Sequence, residues 1–257
     1  MILSTTLKET LADGRVVIGT FLFELGGPAI PRILADAGFD FVIIDAEHGI
    51  YTVDSAAALI AFARTSGIAP LVRVPEITRT NVLRALEAGA AGIVAPMIRD
   101  RADVDTLYRL AKYPPQGERG TCLGTAHTDY RRPDPALYLR EANENGLLVG
   151  QIETRDALEN IDAILGSGRL DVAFVGPLDL SVSLGAPADL DTPQFDAAIE
   201  RILERCRAHD VIPAAFVADP ATGRRWIERG FRMIACSGEL FMLAERSKQI
   251  VGELKGG

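Results

Sequence analysis

Two carboxylates stand at the ends of consecutive apolar runs. Glu153 ends LLVGQIE, and Asp179 lies just beyond DVAFVGP. Both offer hard oxygen ligands, which suit magnesium or manganese, with cobalt also accommodated, and a pair of them leaves positions free for water and a chelating substrate. The competing reading is that they cap the helices that follow, since ETRDALENI and DLSVSLG are acceptable helix starts; residue type leaves the two readings level. His48, in FVIIDAEHG, follows another apolar run by three residues and is one of only three histidines in the chain. Its imidazole is a natural general base near neutral pH, against the alternative of a satisfied structural histidine. Asp45 and Glu47 flank it, either to orient it or to pair with an arginine. Arg73 sits inside APLVRVP, where a permanent charge needs an oxyanion partner to offset desolvation. That partner is a substrate oxygen, whose charge Arg73 would stabilise as an enolate develops, or Asp45 or Glu47, or both. Gln151 is two residues before Glu153 and shares its pleat face, so its amide reaches the same substrate or fills an interior polar layer.

Such residues act together only if the fold converges them. Eight short apolar runs recur with helix-like segments between them: VVIGTF (16–21), FVIID (41–45), APLVRV (69–74), AGIVAP (91–96), LLVGQIE (147–153), DVAFVG (171–176), VIPAAFV (211–217) and FRMIAC (231–236). Continuous apolar runs are the mark of parallel strands buried on both faces. The intervening PAIPRILADAG, TVDSAAALIAFARTSG, ITRTNVLRALEAG and FDAAIERILERCRAHD are amphipathic at helical period, several with a closing glycine. With 257 residues, the pattern predicts an α/β chain folded as one (β/α)8 TIM barrel spanning 1–257. A doubly wound sheet would carry a Gly-rich phosphate loop after its first strand, and FELGGPAIP is not one. In a barrel, polar residues at the C-terminal strand ends meet on one rim, which is where Glu153, Asp179, His48, Arg73 and Gln151 all fall. The four lysines, Lys8, Lys112, Lys248 and Lys255, fall in helical or terminal segments, which disfavours imine chemistry. The connection from Pro96 to Leu147 holds a helix over 100–112 and then a loop long enough to suggest function.

Composition narrows the partners. A net charge of -8 with 48% hydrophobic residues speaks for a globular enzyme and against a general binder of nucleic acid or anionic membrane. The chain shows no secretory leader and no run of the roughly 20 apolar residues that a membrane span needs. Cys122, Cys206 and Cys236 are odd in number and far apart, suggesting neither disulfides nor a thiolate zinc site and fitting a cytoplasmic location.

FDFVIIDAEHG, LVRVP, ALEAGAAGIVAPMI, YPPQGERG, LLVGQIET and DVAFVGPLDLS, taken in that order, make nearly the whole chain resemble the class II, metal-dependent pyruvate aldolases of the HpcH/HpaI family. The resemblance implies Glu153 and Asp179 as metal ligands, His48 as catalytic base, Arg73 as the group that stabilises the transition state, and Gln151 as a substrate contact. It puts Glu87 where many members carry an aspartate that supports the catalytic histidine across a subunit boundary; the charge is kept on a longer arm. Leu178 stands where a smaller residue is common beside the metal ligand, its backbone facing substrate, and His127 where relatives often have arginine. The activity implied is reversible cleavage of a 4-hydroxy-2-keto acid to pyruvate, or a related 2-keto acid, and an aldehyde, with a divalent metal as Lewis acid and Arg73 steadying the enolate. The assembly implied is a homo-oligomer, commonly a hexamer, whose active sites neighbouring chains complete. A citramalyl- or malyl-CoA lyase would use similar chemistry but needs a surface for CoA that the acidic balance does not advertise. A phosphate-binding barrel isomerase would rest on CSGE alone, and a non-catalytic metabolite-binding barrel is opposed by the intact set of His48, Arg73, Glu153 and Asp179.

Overall fold

The computed structural model describes residues 3–256. Its strands are β1 (Val17–Leu22), β2 (Phe41–Asp45), β3 (Ala69–Arg73), β4 (Gly92–Ala95), β5 (Leu147–Ile152), β6 (Val172–Val175), β7 (Ile212–Val217) and β8 (Met233–Gly238). They pair in parallel in sequence order, and β8 returns to β1, so the sheet closes as a barrel. The helices are α1 (Leu3–Ala12), α2 (Ala29–Asp36), α3 (Ala56–Ser66), α4 (Arg79–Glu87), α5 (Arg101–Ala111), α6 (Pro135–Asn145), α7 (Arg155–Glu159), α8 (Ile161–Leu165), α9 (Pro177–Ser183), α10 (Pro193–His209), α11 (Pro220–Arg229) and α12 (Glu239–Lys255). All eight expected strands form, within one or two residues of the expected ends.

Two cores separate by the period-two alternation of the strands. Val42, Ile44, Val72, Ile93, Ala95, Leu148, Ala173 and Ile234 point outward and pack under the helices. Phe21, Phe41, Ile43, Leu71, Val94, Val149, Phe174 and Met233 point inward and fill the barrel, which Leu7 and Leu11 of α1 join as a plug. The same alternation dictates the site. Phe41 and Ile43 face inward, so Asp45 does too. Ala69 and Leu71 carry Arg73 with them, and Leu147 and Val149 carry Gln151. Each strand thus ends its apolar interior layers on a polar residue at the C-terminal rim, the end of the barrel that supports chemistry in this architecture. Gly19 is required within this packing, because a β-carbon there would collide with the ring of Phe41, its partner in the β1–β2 register.

The helix between Pro96 and Leu147 is followed by a second, α6, and the segment between them is held by side chains. Arg119 is buried, stacks over the Tyr113 ring with its guanidinium carbon 4.4 Å from the centroid, and donates to Glu87 at 2.9 Å. Among the described residues, no helix is long and apolar enough to cross a membrane.

Candidate active site

The β2–β3 register sets Asp45 against Arg73. Arg73 donates through Nε to Asp45 Oδ1 at 2.8 Å and through Nη2 to Asp45 Oδ2 at 2.6 Å, while Nη1 lies 3.3 Å from Glu47 Oε2. Asp45 is fully buried, and its Oδ1 also accepts the backbone N–H of Glu47 at 3.0 Å and of His48 at 3.3 Å. One carboxylate therefore fixes both the guanidinium and the turn that carries the imidazole. Burial opposes the charge on Arg73, but the hydrogen bond and charge of Asp45, with Glu47 and Glu153, raise its pKa above the ordinary arginine value. Both sequence readings of Arg73 thus meet: the ion pair is present, and the guanidinium also lines a cavity at the rim. His48 stays accessible, with its side chain 64% exposed and Nε2 3.9 Å from Glu47 Oε2. Burial also lifts the Glu47 carboxyl above its usual range, against the lowering pull of Arg73 and His48.

Glu153 follows β5 directly and is only 2% exposed. It does not cap α7; Thr154 does so by accepting from the Ala157 N–H. Instead Oε1 of Glu153 accepts the Met97 N–H at 2.8 Å and Oε2 accepts from Gln151 Nε2 at 2.8 Å. Gly176 after β6 leaves the room: a β-carbon there would collide with Glu153 Oε2. Burial lifts the Glu153 carboxyl to a pKa of about 7, with the charges of Asp179 and Glu47 adding to the rise and the Met97 N–H and Arg73 opposing it. Asp179 lies exposed in the first turn of α9.

These groups fit a divalent cation. Glu153 and Asp179 offer carboxylate oxygens, the Oε1 of Gln151, whose Nε2 donates to Glu153, is buried without a partner, and all are hard oxygen donors. No cluster of three or more His, Cys, Asp or Glu side chains among the described residues could hold a metal, so Glu153 and Asp179 would leave the remaining positions to water and substrate.

His48, Arg73, Gln151, Leu178 and Asp179 line one cavity of about 220 Å³ together with Phe21, Phe23, Phe174, Gly176, Pro177, Phe216 and Phe241. Glu153 does not line it but accepts a hydrogen bond from Gln151, which does. Glu87 does not join them. It ends α4, which leads into the start of β4, so it stands at the opposite end of the barrel from His48, on Arg119 and 3.4 Å from His127 Nδ1. Sequence reasoning missed the phenylalanine rings, whose only signal was the alternate spacing of Phe21 near the end of β1 and Phe23 just beyond it. It also missed Glu239, a buried carboxylate at the start of α12 whose Oε1 accepts three successive N–H groups, of Phe23, Glu24 and Leu25, at 2.7–3.0 Å.

A closed parallel barrel with carboxylates, a buried guanidinium and an accessible imidazole at its C-terminal rim suits carbon–carbon lyase chemistry, and comparison with known proteins assigns the chain to that class, as an aldolase. The HpcH/HpaI aldolase/citrate lyase family model matches residues 20–245, and the chain belongs to that family. It is 30% identical over 97% of its length to a hydroxypyruvate/pyruvate aldolase of Roseovarius nubinhibens, covering 96% of that protein. It is 30% identical over 96% of its length to a 4-hydroxy-2-oxo-heptane-1,7-dioate aldolase of Salmonella dublin, covering 94% of it. The crystal structure of an HpcH/HpaI aldolase from Desulfitobacterium hafniense superposes with a TM-score of 0.93 at 34% identity, over 97% of this chain and 96% of that one.

Proposed function

We propose that the chain catalyses the reversible aldol cleavage of a 4-hydroxy-2-keto acid to pyruvate and an aldehyde, with Glu153 and Asp179 holding a divalent cation. The observation that carries this reading is the meeting of His48, Arg73, Gln151 and Asp179 in one cavity, with Glu153 joined to Gln151 by a hydrogen bond. Magnesium, manganese or cobalt bound there would supply Lewis acidity toward the keto acid. His48, exposed at the mouth, takes the proton of the C4 hydroxyl, directly or through water, and Glu47 orients it. As the C3–C4 bond breaks, negative charge grows on the 2-keto oxygen, and the guanidinium of Arg73, already fixed by Asp45, faces it without reorganising. Gln151 and the backbone at Leu178 position the acid. Protonation of C3 completes pyruvate, and the former C4 leaves as the aldehyde carbonyl.

The test is proton exchange at pyruvate. Chelated, desalted protein with pyruvate in deuterated water is expected to exchange the methyl protons, followed by NMR, only when a divalent metal is added, and Glu153→Ala is expected to abolish the exchange. No exchange with magnesium, manganese or cobalt in folded protein overturns the reading. The same reading gives the protein a homo-oligomeric, commonly hexameric state in which Glu87 serves a neighbouring chain's site. It is supported by the position of Glu87 at the end of α4, on the barrel end away from its own rim. A cytoplasmic setting accords with Cys122, Cys206 and Cys236, all free thiols.

A further inference from the structure

The charged groups of the site come from β2, β3, β5 and the start of α9, whereas the arc from β6 round to β1 contributes rings. Phe21 and Phe23 stack with centroids 5.4 Å apart and planes at 12°. Phe21 meets Phe174 edge-on at 6.2 Å and Phe216 edge-on at 5.7 Å, and Phe23 meets Phe241 edge-on at 5.7 Å. Phe21 and Phe174 are buried and form the floor; Phe23 and Phe216 are half-buried and Phe241 is exposed, so these three present ring surface to the cavity. The arrangement is held in place. Glu239 clamps the N–H groups of Phe23, Glu24 and Leu25, fixing the loop that carries Phe23 to the start of the helix that carries Phe241.

The charge in the cavity excludes one kind of substrate and the rings favour another. Among the described residues lining it, Arg73 is the one guanidinium, and its Nε, Nη1 and Nη2 are all engaged by Asp45 and Glu47. Along the wall formed by Phe23, Phe216 and Phe241 no cationic side chain among the described residues lines the cavity, so an aldehyde carrying its own carboxylate would lose water against phenylalanine with no guanidinium or ammonium there to replace it. A flat apolar aldehyde loses little water and gains stacked and edge-to-face contacts with rings that are already ordered.

We propose that the electrophile taken by this site is an uncharged aryl aldehyde, seated on Phe23, Phe216 and Phe241. The proposal rests on the aldolase reading above and specifies its second substrate. In the synthetic direction pyruvate loses one methyl proton, its C3 forms a bond to the aldehyde carbon, and the aldehyde oxygen gains one proton. The product is a 4-aryl-4-hydroxy-2-keto acid, and cleavage runs the same balance backward. The class differs from the dicarboxylate named for the Salmonella relative.

The test compares benzaldehyde, hexanal and succinic semialdehyde as acceptors for pyruvate in the metal-loaded wild-type protein, with methyl proton exchange of pyruvate measured on the same sample. Benzaldehyde is expected to lead in kcat/KM, at least 10-fold over hexanal and at least 100-fold over succinic semialdehyde. Phe216→Arg, which places a free cation in the wall, is expected to move the ratio of benzaldehyde to succinic semialdehyde at least 10-fold toward the anion, and Phe241→Ala to lower the ratio of benzaldehyde to hexanal. Exchange with equal acceptance of all three aldehydes, or with the semialdehyde preferred, overturns the aryl assignment and leaves the aldolase intact. Absence of exchange overturns both.

Discussion

Glu153 is held by geometry that its own charge resists. Its carboxyl is almost wholly enclosed, accepts only two hydrogen bonds, and shares its space with Asp179 and Glu47, so in the metal-free protein it gains a proton up to a pKa of about 7. The folded state thus binds a proton that the unfolded chain has released. Stability from this group is fully present below the unfolded value of 4.5 and is lost as pH rises through 4.5 to about 7, a loss of about 3 kcal/mol if the whole shift is expressed. Glu153→Gln keeps the shape, removes the titration, and can retain the Met97 contact. In chelated protein, the wild type is therefore expected to lose melting temperature relative to Glu153→Gln between pH 5 and 8, by roughly 6–12 °C; parallel pH profiles would refute this. Added divalent cation should restore the wild type above pH 7 and leave the variant less affected. The residue types at this site were legible because a strand's alternation told which side chains face in. The choice between ligand and cap was not, since it turned on which N–H groups Glu153 and Thr154 accept, and neighbouring segments of chain decide that. Nor was the pairing of Asp45 with Arg73, rather than with the His48 ring, readable before the β2–β3 register was known.

Strands were the most readable elements, because a parallel strand covered on both faces must be apolar throughout, and eight such runs leave few architectures. The connection between α5 and α6 was the least readable, since what orders it is Glu87 from α4 gripping Arg119, a pairing that no local pattern announces. At this scale a tight constraint is the fit of β1 on β2 at Gly19 and Phe41. Neither residue can grow, and Gly19→Ala pushes a methyl group into a ring fully enclosed in the barrel. Overpacking of this kind costs typically 1–3 kcal/mol. The expected result is a lowered denaturation midpoint for Gly19→Ala with an unchanged slope. Phe41→Leu, destabilising alone through the volume it vacates, should recover part of that loss when the two are combined. A double-mutant cycle measures this coupling directly; additive effects would mean that the ring and the glycine do not constrain each other.

At the scale of the molecule, α12 departs from the rule that most of the other helices follow. Helices that cover a barrel bury one apolar stripe, whereas α12, at 17 residues, buries only Glu239. Leu243, Ile250 and Leu254 are spaced seven and four apart, so they share one face, and all three are exposed, Leu254 at 83%. The chain as a whole exposes 12220 Å², where a compact monomer of 27.6 kDa is expected to expose roughly 11000 Å². The excess is of the order that one side of a stable interface buries, about 800 Å². An exposed apolar stripe on a chain of net charge -8, with surface to spare, argues for a second copy as its cover, in keeping with the oligomer proposed above. The wild type is expected to sediment as an oligomer at micromolar concentration and to remain so at high salt, since apolar burial is not screened as ion pairs are. Ile250→Asp with Leu254→Asp should release smaller species whose circular dichroism still reports a folded barrel, because neither side chain touches the enclosed core. A wild-type monomer at that concentration, or an oligomer indifferent to both substitutions, would rule out α12 as the contact and return the excess surface to the barrel itself.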